Sequence, residues 1–496
     1  MAALGERSGQ PPGPTPGRAP GVIDLYRSLH AAGLELAERS RAGVLVPALL
    51  VAAWFVLRTA DAWDRPAAIA WAAAAVLVAL VSPSAGLVLA AAIAPFPEPP
   101  VVGRLLGVTH LVIGATGLAV LVRVLARPRS MPWSPPLLLG LGVGAGTAAG
   151  VVLTFRTFDR AYAQAALDNW LAGVGAGIVV LAAVAWIARG GDRRPLVAAV
   201  ASATLAGWLT LLDHASPALG GSLLGWLIAP KDFGFRISGV IPSPNALASM
   251  LVGPTALLVA AAVLGPRAAR RWRAAAAVAV LPLVACLLLT FSRAALLALF
   301  VLAVVLAWRV RRALAVGLLA AGLVLGVLLL PEYIETRARY VPEGRVAPGQ
   351  VLVASDVHRL RAWGAATAMF LDRPLTGHGF RSYRRVGDVY GDPILNSPHN
   401  EWLRFFAEEG AVVGVLGLAW GLLTFAWLLR RPGWLGAGLA AAFAGWAITA
   451  TFNNPLLFVQ VSSIAFTLAG TGLGLPAPPG VVAADAATPE DAPVSS

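Results

Sequence analysis

Apolar runs long enough for membrane-spanning helices recur along the chain between residues 42 and 473. A helix needs roughly 20 apolar residues to cross the hydrocarbon core of a bilayer. Fourteen runs meet or approach this length, at residues 42–57, 66–81, 84–96, 105–125, 136–155, 171–188, 195–213, 244–264, 274–290, 294–308, 313–330, 411–429, 434–451 and 455–473. The second and third runs are short and nearly join at Pro83, so we predict 12 to 14 transmembrane helices.

The composition supports this class. The chain has 496 residues, of which 58% are hydrophobic and 13% charged, and its mean hydropathy is +0.75. A soluble protein of this length would carry far more charge. We therefore predict an all-α, polytopic integral membrane protein with one large external loop that contains short helices. The single cysteine, Cys286, excludes an intramolecular disulfide and a cysteine-based metal site.

The pattern also predicts a domain organisation. Residues 1–40 read as a cytoplasmic tail without a removable signal peptide. Residues 41–330 form a membrane domain with spans 1–11, and residues 331–410 form an external catalytic loop. Residues 411–473 contain the last spans, and residues 474–496 form a disordered cytoplasmic tail.

The net charge of +13 would suit a nucleic-acid partner, but the arginines that produce it lie in short loops between spans. Their clustering on alternate loops follows the positive-inside rule, so we expect no nucleic acid partner. This orientation predicts a multi-pass protein of the cytoplasmic (inner) membrane, with the loop at 331–410 on the external, periplasmic face. The clusters are Arg123, Arg127 and Arg129; Arg189, Arg193 and Arg194; Arg267, Arg270, Arg271 and Arg273; Arg309, Arg311 and Arg312; and Arg430 with Arg431.

Two arginines depart from that rule, because they lie on the predicted external side. Arg293 follows Ser292, a suitable N-cap, between two spans. A charge at this depth is costly and needs a partner, either a structural ion pair or an anion such as a lipid phosphate. Arg236 precedes a helix start at Ser243 and Pro244, where free N–H groups could also face an anion. We favour anion binding for both arginines.

The long loop contains an amphipathic helix, for which Ser355 or Asp356 is the expected cap. Its apolar stripe is predicted to hold Leu360, Trp363, Thr367, Phe370 and Leu371. Arg359 lies one turn before Trp363 on the same stripe, at the edge of the surface that this helix is predicted to cover.

His399 is the candidate catalytic residue. It precedes Asn400, a suitable N-cap for a helix that runs into the next span. The positive end of that helix disfavours imidazolium, and a neutral imidazole can act as a general base. The alternative is a histidine that only hydrogen-bonds across the loop. His358 and His378 are interpreted as loop histidines, not ligands.

Together these residues resemble the O-antigen ligase and O-antigen polymerase superfamily of lipid-linked glycan transferases. The matching segments are FSRA at 291–294, SPNA at 243–246, residues 359–363, PLTGHGF at 374–380, His399 with Asn400, and Glu409 with Gly410. Two features depart from the family pattern. His378 stands where a small or apolar residue is usual, and fourteen spans exceed the twelve expected.

The resemblance implies a metal-independent, inverting transfer of a glycan from an undecaprenyl-diphosphate-linked donor to an acceptor hydroxyl, with no cofactor. His399 would take the acceptor proton, and Arg293, Arg236 and Arg359 would hold the diphosphate. Asn400, Asn245 and Ser292 complete the predicted substrate-binding set. The acceptor could be a lipid, a protein or a growing glycan, so ligase and polymerase, the latter in surface polysaccharide synthesis, both remain open. Membrane lipid is a further expected partner.

Two other functions are compatible with the sequence. A different membrane glycosyltransferase could use Asp61 or Asp64 in the first external loop, with a divalent metal. A transporter of the same lipid-linked sugars would place ionisable groups at mid-membrane and carry internal repeats. Here His110 is the main mid-span exception, and we detect no repeat.

Overall fold

The computed structural model describes residues 42–59, 65–96, 107–216, 236–241, 243–338 and 351–476. Regular structure in these ranges is helical. The helices are α1 Ala42–Thr59, α2 Arg65–Val81, α3 Pro83–Ile93, α4 Val108–Ala126, α5 Pro135–Thr157, α6 Arg160–Trp170, α7 Ala176–Arg189, α8 Arg194–Ala215, α9 Pro244–Leu264, α10 Arg270–Leu289, α11 Arg293–Val310, α12 Arg312–Ala338, α13 Val351–Asp372, α14 Tyr383–Val386, α15 Glu401–Leu429, α16 Gly433–Phe452 and α17 Val459–Gly474.

Nine helices in the described ranges are long and apolar enough to cross a membrane. Five shorter apolar helices accompany them, so each of the fourteen predicted runs overlaps a helix. The predicted class, an all-α polytopic membrane protein, is confirmed. The second and third runs form two separate helices, α2 and α3, because the side chain of Ser82 caps the start of α3. With 11 residues, α3 is roughly 16 Å long and too short to cross a bilayer alone.

The centre of the bundle is formed by α9, α16 and α17. Small residues let these helices approach closely, as is usual between membrane helices. Any side chain at Gly445 would meet Val252, and any side chain at Gly253 would meet Leu468. By contrast, α12 exposes a broad apolar surface that includes Leu323 and Leu328, 70% and 69% exposed. Such surfaces suit contact with lipid.

The predicted amphipathic helix is α13, but two details of the prediction are wrong. It begins at Val351, so Ser355 and Asp356 lie inside it and do not cap it. Its packed face is built from small residues and Met369, which join a cluster with Tyr383 and Ala407. Of the predicted stripe, Leu360 and Leu371 are exposed.

The remaining stripe residues pack at the sides of α13. Trp363 lies against Phe452, with ring centroids 6.1 Å apart, and Phe370 meets Phe406 edge-on at 5.3 Å. The helix is therefore held by alanine-rich contact with the start of α15 and is flanked by aromatic contacts.

A break in α15 at Gly410 joins the loop to the membrane bundle. Gly410 has φ +80° and ψ −177°, a conformation that is almost restricted to glycine. The break lets residues 374–379 run alongside the helix. There the N–H of Ala411 donates to the Pro374 carbonyl, and the N–H of Gly379 donates to the Glu408 carbonyl, both at 2.7 Å.

Some predictions lie outside the described residues. These are the amino-terminal tail at 1–40, the carboxylates Asp61 and Asp64, and all but the first residues of the carboxyl-terminal tail. His110 is described, and it lies in the first turn of α4 instead of at mid-span, where its Nδ1 accepts from the N–H of Gly107 at 3.0 Å.

We predict that Gly410→Ala destabilises the protein. The substitution adds a left-handed strain of about 1–3 kcal/mol, and its Cβ would lie 2.3 Å from the Leu375 carbonyl oxygen. Thermal unfolding of the detergent-purified protein should show a lower midpoint. The matched control is Gly364→Ala on α13, where a new Cβ meets no atom within 4 Å. Because alanine is favoured by about 0.5–1 kcal/mol in a helix, this control should unfold at the same or a higher temperature.

Candidate active site

Three arginines from separate parts of the chain form one cationic cluster. Arg236 precedes α9, Arg293 is the first residue of α11, and Arg359 lies in α13. Burial lowers the pKa of the Arg236 and Arg359 guanidinium groups, and the charge of Arg293 lowers both further. The three predicted phosphate ligands therefore lie within electrostatic reach of one another, although they come from positions far apart in the sequence.

Arg236 is held by neutral acceptors. Its Nε donates to the carbonyl of Thr290 at 2.8 Å, and its Nη2 donates to Oδ1 of Asn245 at 2.9 Å. Thr290 ends α10, and Asn245 lies in the first turn of α9, behind the Ser243 cap that the sequence predicted. These bonds fix the guanidinium without neutralising it, so its charge remains available to an anion.

Arg293 forms an ion pair with Asp356 of α13. This contact joins the start of α11 to the loop helix α13. Arg293 therefore has the ion-pair partner that the sequence analysis gave as the alternative to anion binding. Arg359, one turn after Asp356, has no hydrogen bond or ion pair among the described residues. The cluster thus combines three positive charges with one carboxylate. The excess charge suits a phosphate or diphosphate, for which arginine is a strong ligand.

His399 lies beside this cluster in a left-handed conformation, with φ +50°. Such a backbone is uncommon for residues other than glycine and is enriched at functional sites. Burial, followed by the charge of Arg359, lowers the pKa of His399 to about 4, while Asp392 acts in the opposite direction. The imidazole is therefore neutral near pH 7. Its nitrogens have no hydrogen-bond partner within the described ranges.

A cavity of about 140 Å³ contains His399. Its other polar lining residues are Ser243, Asn245, Ser249, Asn453 and Asn454, with Ser397. Asn245 joins the two halves of the site, because it lines this cavity and also accepts from Arg236. The arrangement places a neutral base next to uncharged amides and hydroxyls, with the arginine cluster adjoining.

Asn453 and Asn454 are functional candidates that the sequence analysis did not assign to the site. Each is 6% exposed, and in the described part of the chain neither amide has a hydrogen-bond partner. Buried amides without partners are costly, so a ligand is a natural explanation for them. The signal in the sequence was two adjacent asparagines between apolar spans.

Asn400 and Ser292 occupy helix ends beside the site. Asn400 caps α15 as predicted, since its Oδ1 accepts from the N–H of Leu403 at 3.0 Å. Ser292 is at the N-cap position of α11, but its side chain makes no capping bond. Neither residue lines the cavity that contains His399.

The other loop histidines lie outside the cavity. His378 is 5% exposed, with Nε2 3.1 Å from the Met369 carbonyl and its ring edge-on to Tyr390. It packs the loop against the end of α13. Among the described residues, no group of three histidine, cysteine or acidic side chains could hold a metal ion.

A buried network of charged side chains in the first turns of α15 supports the site. The sequence analysis did not predict this network. Arg404 is 1% exposed and lies between Glu401 and Glu408 of the same helix. Its Nη1 donates to Glu408 at 3.0 Å, and its Nε donates to Glu401 at 2.9 Å. Its guanidinium also stacks on Phe380 and Phe405, 5.1 Å from each ring centre.

The two carboxylates extend this network to other segments. Glu408 accepts from the backbone N–H groups of Arg381 and Tyr383, at 2.8 and 3.2 Å. Glu401 accepts from the N–H of Leu456 at 3.3 Å, beside the two asparagines. The first turns of α15, which begin two residues after His399, are therefore fixed to the segment at 381–383 and to the segment that follows the two asparagines of the cavity.

We predict that Arg404→Gln lowers the free energy of unfolding by about 3–5 kcal/mol, because it leaves two carboxylates buried without their counter-ion. The thermal midpoint of the purified protein measures this loss. Arg361→Gln is the control, since Arg361 is an exposed arginine of α13. Equal midpoints for the two variants would contradict a central role for the network.

Comparison with known proteins agrees with the geometry. Residues 277–418 match a family model described as O-antigen ligase. The match includes Arg293, Arg359 and His399, whereas Arg236, Asn245 and the two asparagines lie outside it. No curated protein matches the sequence. The resemblance inferred from the sequence is thus confirmed: residues 277–418 of this multi-pass membrane protein match the O-antigen ligase family.

Proposed function

We propose that this protein transfers a glycan en bloc from an undecaprenyl-diphosphate carrier to an acceptor hydroxyl. The observation that carries the proposal is that His399, which is neutral near pH 7 and has no hydrogen-bond partner among the described residues, lies next to the three-arginine cluster. A base and a diphosphate site at one place are what such a transfer needs. The reaction would occur at the external face of the cytoplasmic membrane, where the positive-inside pattern puts this end of the bundle.

In this mechanism the arginine cluster binds the donor diphosphate. Arg359 offers donors that have no partner among the described residues, and Arg236 is oriented by Thr290 and Asn245. As the bond between the anomeric carbon and the diphosphate oxygen breaks, negative charge grows on the leaving group. Fixed cations stabilise that charge more in the transition state than in the bound donor. This is the role that would otherwise require a divalent metal, so we propose a metal-independent reaction.

His399 would be the general base. One of its ring nitrogens takes the proton of the acceptor hydroxyl as the oxygen attacks the anomeric carbon from the face opposite the diphosphate. One C–O bond forms, one breaks, and the configuration at the anomeric carbon inverts. The low pKa of His399 keeps the base unprotonated but makes it weak. Close positioning of the acceptor must therefore supply much of the acceleration.

The cavity beside His399 suits sugar hydroxyls. Asn453, Asn454 and Asn245 offer amide donors and acceptors, and Ser249 lies nearby. Uncharged groups of this kind recognise hydroxyls without competing for the diphosphate. The acceptor itself can be a lipid, a protein or a growing glycan, since each presents the same hydroxyl to His399.

We predict that His399→Asn reduces glycan transfer by about 10²–10⁴-fold, the usual contribution of a general base. Asparagine tolerates the left-handed backbone that alanine would strain. Membranes with equal amounts of each protein receive labelled undecaprenyl-diphosphate oligosaccharide, acceptor and excess chelator, and donor consumption is followed. His214→Ala, an exposed histidine at the end of α8, should behave as the wild type.

Other outcomes of the same assay contradict the proposal. Equal consumption by wild type and His399→Asn would make His399 structural and direct attention to Asp61 or Asp64. Loss of wild-type activity in chelator would indicate a metal-dependent transferase. Movement of the labelled lipid between leaflets without consumption would identify a transporter.

We also predict that the acidic limb of the pH–rate profile lies near pH 4, because the unprotonated base is required and its pKa is about 4. Transfer should therefore be nearly constant between about pH 5 and 7.

Arg359→Gln removes a charge that lowers the pKa of His399, so both the acidic limb of the pH–rate profile and the histidine titration should move to higher pH. NMR of ring-labelled histidine, assigned with His399→Asn, measures the shift. An unchanged pKa in Arg359→Gln would contradict the geometry.

A further inference from the structure

A second polar cavity lies apart from His399. Its volume is about 490 Å³, and it is formed by Asp159, by α6 along its length and by the segment at 381–385. The polar lining consists of Asp159, Tyr162, Asn169, Arg381, Arg384 and Arg385. None of these residues belongs to the arginine cluster or to the cavity around His399.

The cavity carries an excess of positive charge. Arg385 lies 3.7 Å from Asp159 and 5.7 Å from the centre of the Tyr162 ring, so its charge is partly compensated. Within the described ranges, the guanidinium groups of Arg381 and Arg384 form no hydrogen bond or ion pair. Glu408 attracts Arg381 through its charge, but that carboxylate is already held by Arg404.

The backbone of Arg381 is fixed in an unusual conformation. Its φ is +63°, its N–H donates to Glu408 at 2.8 Å, and its carbonyl accepts from the Tyr162 hydroxyl at 2.6 Å. A left-handed arginine held from both sides is a costly arrangement. It gives the cavity a rigid wall in place of a mobile surface loop.

The location of the cavity restricts its ligand. It lies where α5 ends and along the polar helix α6, which leads into the apolar part of the next candidate membrane span. This position corresponds to the boundary between the membrane and water, where lipid phosphates and the phosphates of lipid-linked sugars are found. Arginine binds phosphate in a bidentate manner, and tyrosine and asparagine add neutral hydrogen bonds.

We propose that this cavity binds a phosphate monoester or diester at the membrane surface, through Arg381 and Arg384. The phosphate belongs to a phospholipid headgroup or to a phosphorylated saccharide. Binding here does not require the transfer reaction, so the proposal does not depend on the function proposed above.

Binding is tested with two pairs of probes on the purified full-length protein. Native mass spectrometry compares phosphatidylglycerol with diacylglycerol, which lacks the phosphate, and calorimetry compares glucose 1-phosphate with glucose. In at least one pair the phosphate-bearing anionic probe should bind the wild type more tightly, and Arg381→Gln/Arg384→Gln should weaken that binding by about fivefold or more. Preference for phosphatidylglycerol assigns a lipid headgroup, and preference for glucose 1-phosphate assigns a saccharide.

Two controls make the test specific. Arg361→Gln should bind as the wild type. Arg359→Gln reports any phosphate that binds at the other arginine cluster, so the binding that survives this substitution is the binding assigned to the cavity. Should the double variant fold poorly, Arg384→Gln alone tests the proposal, because Arg384 is exposed and should still weaken binding measurably. The proposal is overturned if the anionic probes bind the wild type no better than their partners, or if the double variant and Arg384→Gln leave the binding of these probes unchanged.

Discussion

The buried contact between Arg404 and its two glutamates is the interaction on which the site depends. Charges in so apolar an environment are tolerated only when each is paired and its remaining donors and acceptors are satisfied. Here the pairing is extended to backbone N–H groups of the segment at 381–383 and of Leu456. A loop that is distant in the sequence is thereby fixed to the start of α15, directly after His399.

In the proposed mechanism, the arginines bind the anion and His399 transfers the proton. The arginine cluster keeps its charge because its fixed contacts are mainly with neutral acceptors and because Asp356 is its one counter-ion among the described residues. The same charge, with burial, keeps His399 neutral. Under this proposal one group of residues both binds the anion and prepares the base, so removing Arg359 would affect both functions. Asn245 contacts both halves, which makes the first turn of α9 part of the site although it lies outside the O-antigen ligase match.

Local signals in the sequence predicted much of this arrangement, but they did not reveal the contacts between residues that are far apart in the sequence. The apolar runs, the caps at Ser243 and Asn400 and the out-of-place Arg293 were all visible in short windows. The face of α13 was misjudged because periodicity favours large apolar residues, whereas close packing against α15 selects alanines. The ion pairs of Arg404 with Glu401 and Glu408 have local helical spacing, but their burial and their bonds to residues 381–383 and Leu456 depend on neighbours tens of residues away. The burial of Asn453 and Asn454 likewise depends on distant neighbours, which no local pattern indicates.

The central claim is that the arginines bind the donor and His399 performs the chemistry. Single-turnover transfer measured against donor concentration separates these roles, because it yields the donor affinity and the maximal rate together. The account predicts that His399→Asn keeps the wild-type affinity and loses the rate. Arg359→Gln should weaken the affinity by about tenfold or more. Equal loss of donor affinity in both variants, or normal affinity in Arg359→Gln, would contradict it.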